Sequence, residues 1–307
     1  MLVRPRLWFV FMGLWGLACG ETHAVPLPDT GGAGGFGTAG RSGDAGGSHS
    51  GDAGLSGDAG LSGGGAGGSA AETGGAGQAS GGSPSERAAS LLIFSRTAGY
   101  RHDSIPAGIQ ALTQLAAEQG WTAAATEDAE QFSDATLAGY DAVIFLSTTG
   151  DVLNDDQQAA FERFIRQGRG FVGIHSATDT EYDWAWYGEL VGAYFREHPA
   201  VQPADVLVED STHAATEGLP KPWKRSDEWY AFQSNPRPNV HVLLALDETS
   251  YAPGSANMNG DHPIAWYHEH DGGRAFYTAL GHTSESYSDP LFLQHLTGGI
   301  AWALKRE

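Results

Sequence analysis

Cysteine is almost absent from this 307-residue chain: Cys19 is the only one. With no thiol further along, neither a disulfide framework nor a cysteine nucleophile is possible in the bulk of the protein. Positive charge is scarce too, with 17 Lys and Arg against 37 Asp and Glu for a formal net charge of −20. A chain without a basic patch has nothing to meet phosphates, which argues against nucleic acid and against an anionic membrane surface as partners. Long apolar runs are missing as well. The longest early stretch, Leu7 to Ala18, is too short to span a bilayer.

That stretch is informative in context. Arg4 and Arg6 precede it and Cys19 follows Gly-Leu-Ala, so residues 1–19 read as an export signal. The setting of Cys19 resembles a lipobox, in which the thiol is acylated and becomes the new N-terminus. The expected location is therefore the cell envelope, with a lipid anchor through Cys19 in the membrane, or otherwise the periplasm or the medium. Residues 20–88 are rich in Gly, Ser and Ala and repeat SGDAG three times. With so little apolar surface to bury, they cannot offset the entropy of ordering and read as a flexible tether. About 60 such residues would span on the order of 40 Å.

Residues 89–307 suit one α/β domain. "ASLLIFS" (89–95), "WTAAATED", "YDAVIFLSTTG" and "GFVGI" read as strands, the third buried on both faces by its continuous apolar character. A helix is expected from Ile105 to Gln119, with Ser104 as cap and Gly120 as stop. A second is expected over "LNDDQQAAFERFIRQG", capped by Asn154. This order predicts a doubly wound, mostly parallel sheet, whose ligands bind at the carboxyl ends of the strands. Further on, "YDWAWYGELVGAYF" reads as helix, "ADVLVED" and "NVHVLLALDE" as strands, and 262–281 as a hairpin about Asp271-Gly272-Gly273. The closing "DPLFLQHLTGGIAWAL" reads as a helix that Gly298-Gly299 threatens to interrupt.

Gly99 to Ser104, Ser147 to Gly150 and His175 to Asp179 leave strand ends and converge on the predicted functional edge, and the first and third carry a histidine. His175 lies in G-I-H-S-A, where α/β-hydrolases and class I glutamine amidotransferases place a nucleophile in a sharp elbow. The absence of cysteine excludes thiol amidotransferase chemistry. Ser176 lies one position past the elbow centre, which disfavours a serine hydrolase and leaves it a candidate substrate contact. His102 precedes the first helix, where free N–H groups favour an anion or a developing oxyanion. His282 follows "RAFYTAL". The stretch "SDEWYAF" adds Asp227, Glu228, Trp229 and Tyr230: a carboxylate can orient an imidazole or act as base, and aromatics can stack on a sugar. Histidines and acids together could bind Zn²⁺, but no tight ligand spacing is present. His268 and His270 flank a hairpin turn, and His198 and His213 lie in loops.

Taken together, "YRHDSI", "GRGFVGIHSATDT", "SDEWYAF" and "AFYTALGHTSESYSDPLFLQHLTGGIAWAL" resemble the ThuA-like family of trehalose utilisation, over about residues 89–305. The resemblance implies a flavodoxin-like, class I glutamine amidotransferase-like fold without the nucleophilic cysteine. It also implies a place in sugar catabolism beside oxidoreductases that convert a glycoside 3-hydroxyl to a ketone. By position, His102, His175, Glu228 and His282 match its polar cluster, with Asp227 and Tyr230 alongside. Acid–base chemistry on a glycoside or 3-keto-glycoside follows as the leading expectation, with His175 as acid or base. The alternatives are a non-catalytic carbohydrate-binding lipoprotein that stacks sugar on Trp184, Trp186, Tyr187 and Trp229, and a metal-dependent hydrolase.

Overall fold

The structure, a computed structural model, describes residues 87–306, all of which fall within one compact unit. The expected signal, the tether and Cys19 lie outside the described residues. Among the described residues, no helix is long and apolar enough to cross a membrane.

Five parallel strands form one half of a nine-stranded sheet. They are β1 (Ser90–Phe94), β2 (Thr122–Thr126), β3 (Ala142–Leu146), β4 (Gly170–Ile174) and β11 (Gly273–Thr278), in the order β2-β1-β3-β4-β11. The other half continues from β11 through β10 (Pro263–His270), β9 (His241–Leu246), β6 (Gln202–Val208) and β7 (Trp223–Asp227), each antiparallel to its neighbour. The expectation of a mostly parallel sheet is thus corrected to a mixed α/β sheet. β10 and β11 are joined by the tight turn 271–272, which can join only antiparallel neighbours, and the longer β6–β7 and β9–β10 connections contain no α-helix to carry a parallel crossover. A separate pair, β5 (Phe195–Glu197) with β8 (Ala231–Phe232), stands apart from the main sheet.

Helices cover both faces of the parallel half. In β3 the side chain of Phe145 stacks on Phe161 of α3 (Asp155–Arg166) and on Tyr187 of α4 (Ala185–Val191). Its neighbour Leu146 lies instead against Gly108 of α1 (Ile105–Glu118), as the period of two in a strand requires. A short α2 (Asp134–Leu137) packs on α3. The last helix, α5 (Pro290–Ala303), runs unbroken through Gly298-Gly299. A Cβ on Gly299 would come within 2.4 Å of the Phe276 ring, and one on Gly298 within 2.3 Å of the backbone at Ala214, so these glycines permit close packing where the sequence suggests a break.

The caps differ in their fidelity to expectation. Asn154 and Gln157 form a reciprocal capping box at the start of α3. Ser104 does not cap α1; its hydroxyl turns to the carbonyl of Gly281, 3.4 Å away. The expected helix over 182–195 stops at Val191, because Gly192 takes φ +94° and a Cβ there would meet the Trp266 indole nitrogen at 2.5 Å.

Candidate functional site

Four elements deliver side chains to one place on the strand-end edge. His102 leaves the loop after β1, His175 follows β4 directly, and His282 follows β11. These three strands are parallel, so their carboxyl ends share an edge. Glu228 follows β7 on the far side of the sheet. Four antiparallel steps from β11 return β7 to the direction of β11, so its carboxyl end reaches the same edge. The β5–β8 pair then folds residues 228–232 back over the centre.

His175 sits in a strained backbone conformation, φ +54°, at the start of a short 3₁₀ turn. Two contacts hold it there. Its Nδ1 lies 2.9 Å from the carbonyl of Ala279, which can only accept, so Nδ1 carries the proton and Nε2 faces inward. Its own carbonyl accepts from the Tyr277 hydroxyl at 2.7 Å. Asp227 fixes the opposite wall. Its carboxylate accepts from the backbone N–H groups of Glu228, Gly281 and His282 and from Arg225, at 3.0 to 3.1 Å. Gly281 makes this possible at φ +110°, where an added Cβ would meet the Tyr287 hydroxyl at 2.9 Å.

At the centre, His175 Nε2 lies 3.1 Å from His282 Nδ1 and 3.4 Å from Glu228 Oε2, and His282 Nδ1 lies 3.1 Å from the same carboxylate oxygen. His102 closes the group, with its ring edge-on to those of His175 and His282 at centroid distances of 4.7 and 5.3 Å. One donor atom from each of His102, His175, Glu228 and His282 lies within 4.8 Å of the others, so these four could together hold a metal ion.

The electrostatics follow from burial and from the single carboxylate. Burial, reinforced by His175 and His282, pushes the His102 imidazole down to about 3, so it is neutral with a lone pair to offer. Burial pushes the Glu228 carboxyl up, but the neighbouring His175 and His282 imidazoles outweigh it and hold the group well below the usual carboxylate range. Its hydrogen bond with Glu228 raises the His282 imidazole above its ordinary value.

The residues singled out in the sequence therefore divide. His102, His175, Glu228 and His282 converge. Tyr230 lies against the His175 ring, with centroids 4.5 Å apart, and is itself enclosed. Ser176 is enclosed, with its hydroxyl 3.4 Å from His102 Nδ1. Asp227 is a scaffold for backbone amides. Trp229 is 1 % exposed and donates its indole N–H to the carbonyl of Gln202, so it is a core residue with no face open to a sugar. Tyr187 is likewise enclosed, while Trp184 and Trp186 stack on each other beside Phe161. The His268 and His270 rings are 6.2 Å apart, and His268 Nε2 lies 3.1 Å from the carbonyl of Glu189, away from this centre.

Sequence reasoning passed over His198. Its Nδ1 lies 3.1 Å from Glu228 Oε1 and 3.0 Å from the carbonyl of Pro199. Both partners accept, so Nδ1 carries the proton and Nε2 is left as a base. At 40 % side-chain exposure it is the most open imidazole at the centre. No spacing could have revealed it. The pairing of Glu197 with Ala231 places the residue after β5 beside the residues before β8.

A family model described as ThuA, trehalose utilisation, matches residues 90–303, and the chain belongs to this family. Among solved structures, a ThuA-like protein from Bacteroides uniformis is 24 % identical, with a TM-score of 0.60 over 72 % of this chain and 95 % of that one. A ThuA-like protein from Parabacteroides merdae is 18 % identical, with a TM-score of 0.60 over 71 % of this chain and 90 % of that one. At these identities the likeness extends to the fold. No curated protein matches the chain.

Proposed function

We propose that this chain is an exported, surface-tethered enzyme of carbohydrate catabolism, performing acid–base chemistry on a glycoside oxidised to a ketone at C3. Family membership supports the substrate class. The order β2-β1-β3-β4 is that of flavodoxin-like sheets and supports the amidotransferase-like ancestry, with His175 at the elbow where a nucleophile would stand. Export and acylation at Cys19 rest on the sequence pattern of residues 1–19.

The observation that carries the chemistry is the pairing of an open imidazole with a buried polar wall. Glu228 Oε1 orients His198, and its other oxygen faces His175 and His282. A ketone at C3 acidifies the C2 proton. His198 Nε2 takes that proton, and the electron pair first forms the C2–C3 enolate beside the wall of His102, His175 and His282. The enolate then reforms the ketone with a C1–C2 double bond, the C1–O bond breaks, and the departing alkoxide takes a proton to leave as an alcohol. No oxocarbenium-like state is needed. His175, 0 % exposed with Nδ1 committed to Ala279, is assigned in this reading to the polar wall in place of its expected role as acid or base.

Proton NMR of the full chain with 3-keto-trehalose, and separately with trehalose, tests this. Release of glucose or exchange at C2 from the keto sugar alone, lost in His198→Gln, is the expected result. Turnover of neither sugar, or full activity in that variant, would overturn it. The non-catalytic binding alternative is left with Trp184 and Trp186 as its sugar platform, because Trp229 and Tyr187 present no open face while those two are only partly buried.

A further inference from the structure

We infer that His102, His175, His282 and Glu228 hold one divalent transition-metal ion, and that this ion is what gives the wall of imidazoles its polarising power. The second clause rests on the functional reading above; the first does not.

Three arguments converge. The first is spacing. His175 Nε2, His282 Nδ1 and Glu228 Oε2 form a triangle with edges of 3.1, 3.1 and 3.4 Å. Ligands bonded to a tetrahedral ion at 2.0–2.1 Å stand about 3.3 Å apart. The second is proton accounting. The His175 proton is spent on Ala279, which leaves Nε2 bare, and the carboxylate oxygen carries none. At most one hydrogen, on His282 Nδ1, then serves three converging atoms, whereas a cation at their centre satisfies all three, and His102, whose donor atom lies within 4.8 Å of theirs, closes on it as the fourth. The third is outer support. His175 is backed by the Ala279 carbonyl, His102 by the Ser176 hydroxyl, and Glu228 by His198. Such partners orient the ligands of metal sites. Three imidazoles and one carboxylate suit zinc, manganese, iron or cobalt better than calcium or magnesium. A five- or six-coordinate ion would keep a position free for a sugar oxygen.

The test uses the full chain, purified without a polyhistidine tag. Elemental analysis should find about one transition-metal ion per chain. After chelation, Co²⁺ should restore one equivalent with visible d–d absorption, and Zn²⁺ or Mn²⁺ should raise Tm by several degrees. His282→Ala and Glu228→Gln should each weaken Co²⁺ binding at least tenfold. The inference fails if no ion is retained and none of the three shifts Tm, or if the cobalt band is undiminished in a His175→Ala, His282→Ala double variant. Turnover of the keto sugar by the metal-free chain would overturn the ion's polarising role and leave the sugar reading standing. Stoichiometric metal with no sugar product would do the reverse.

Discussion

His175 and His295 begin alike and end differently. Each is fully enclosed, and each has its Nδ1 close to a backbone carbonyl, that of Ala279 at 2.9 Å or Ala215 at 2.8 Å. His295, in the body of α5, packs among the rings of Phe276, Trp223 and Phe292, and its Nε2 meets no hydrogen-bond partner among the described residues. His175, at the strand-end edge, turns Nε2 toward His282 and Glu228. The anchoring is the same, so neither burial nor the tautomer marks a functional histidine. The chemistry that the second nitrogen faces does. Around His295 an apolar wall makes the ring a space-filler, and around His175 three polar groups on separate loops make it one donor of a set.

Removing the carboxylate should widen that difference most. Glu228→Gln keeps the shape of the side chain and deletes the charge shared by His175, His198 and His282. Turnover of a keto-glycoside is expected to fall about 10²- to 10⁴-fold, the usual range for a lost acid–base partner, while Tm moves by only a few degrees. A variant of normal activity would place the chemistry elsewhere. His295→Ala should do the opposite. A buried ring replaced by a methyl leaves a cavity costing about 2–4 kcal/mol, read from urea unfolding, with turnover per folded molecule unchanged. If that variant also loses activity at full folding, the separation of the two regions is wrong.

The pH dependence of stability sharpens the comparison further. Burial pushes the His295 imidazole down to about 4. The unfolded chain, with an ordinary imidazole near 6.5, therefore binds a proton that the folded chain excludes between those values. Stability is full above about pH 6.5 and declines as pH falls toward 4, by up to about 3 kcal/mol for this group. His268, which burial likewise pushes down to about 4, acts in the same direction. Denaturant titrations at pH 7 and pH 4.5 should show a smaller loss for His295→Gln than for the unaltered chain. An equal loss would remove His295 from the acid sensitivity.

Much of this was legible in the residues, for reasons that also mark the boundary of legibility. β1, β3 and β4 are short apolar runs buried on both faces, and a buried parallel strand has no other appearance. The histidines were found because three of them follow such strands. β5 and β7, with sequences FRE and WKRSD, carry no such signal, because a strand exposed along one side tolerates charge. The part of the site they build, Glu228 with His198, was therefore only half visible. Glu228 stands out by its chemistry, whereas His198 reads only as a loop histidine, because its partner depends on a two-stranded pairing between distant segments. The Gly298-Gly299 pair misled in the other direction: a local propensity for breaking helices was overridden by contact with Phe276 and Ala214.

Trp229 gives the smallest effect and separates chemistry from packing. An aromatic beside Glu228 in the sequence suggests a sugar platform, yet its indole is enclosed and donates N–H to the carbonyl of Gln202 at 2.8 Å. Trp229→Phe keeps most of the apolar surface and deletes that donor. The expected cost is about 1 kcal/mol, the net worth of one hydrogen bond with some packing loss, visible as a shift in urea midpoint. Because the ring faces Tyr251 inside the fold, KM for a keto-glycoside should stay within twofold. A tenfold rise in KM at unchanged stability would show that Trp229 reaches the sugar after all, and the boundary between core and site would have to move to include it.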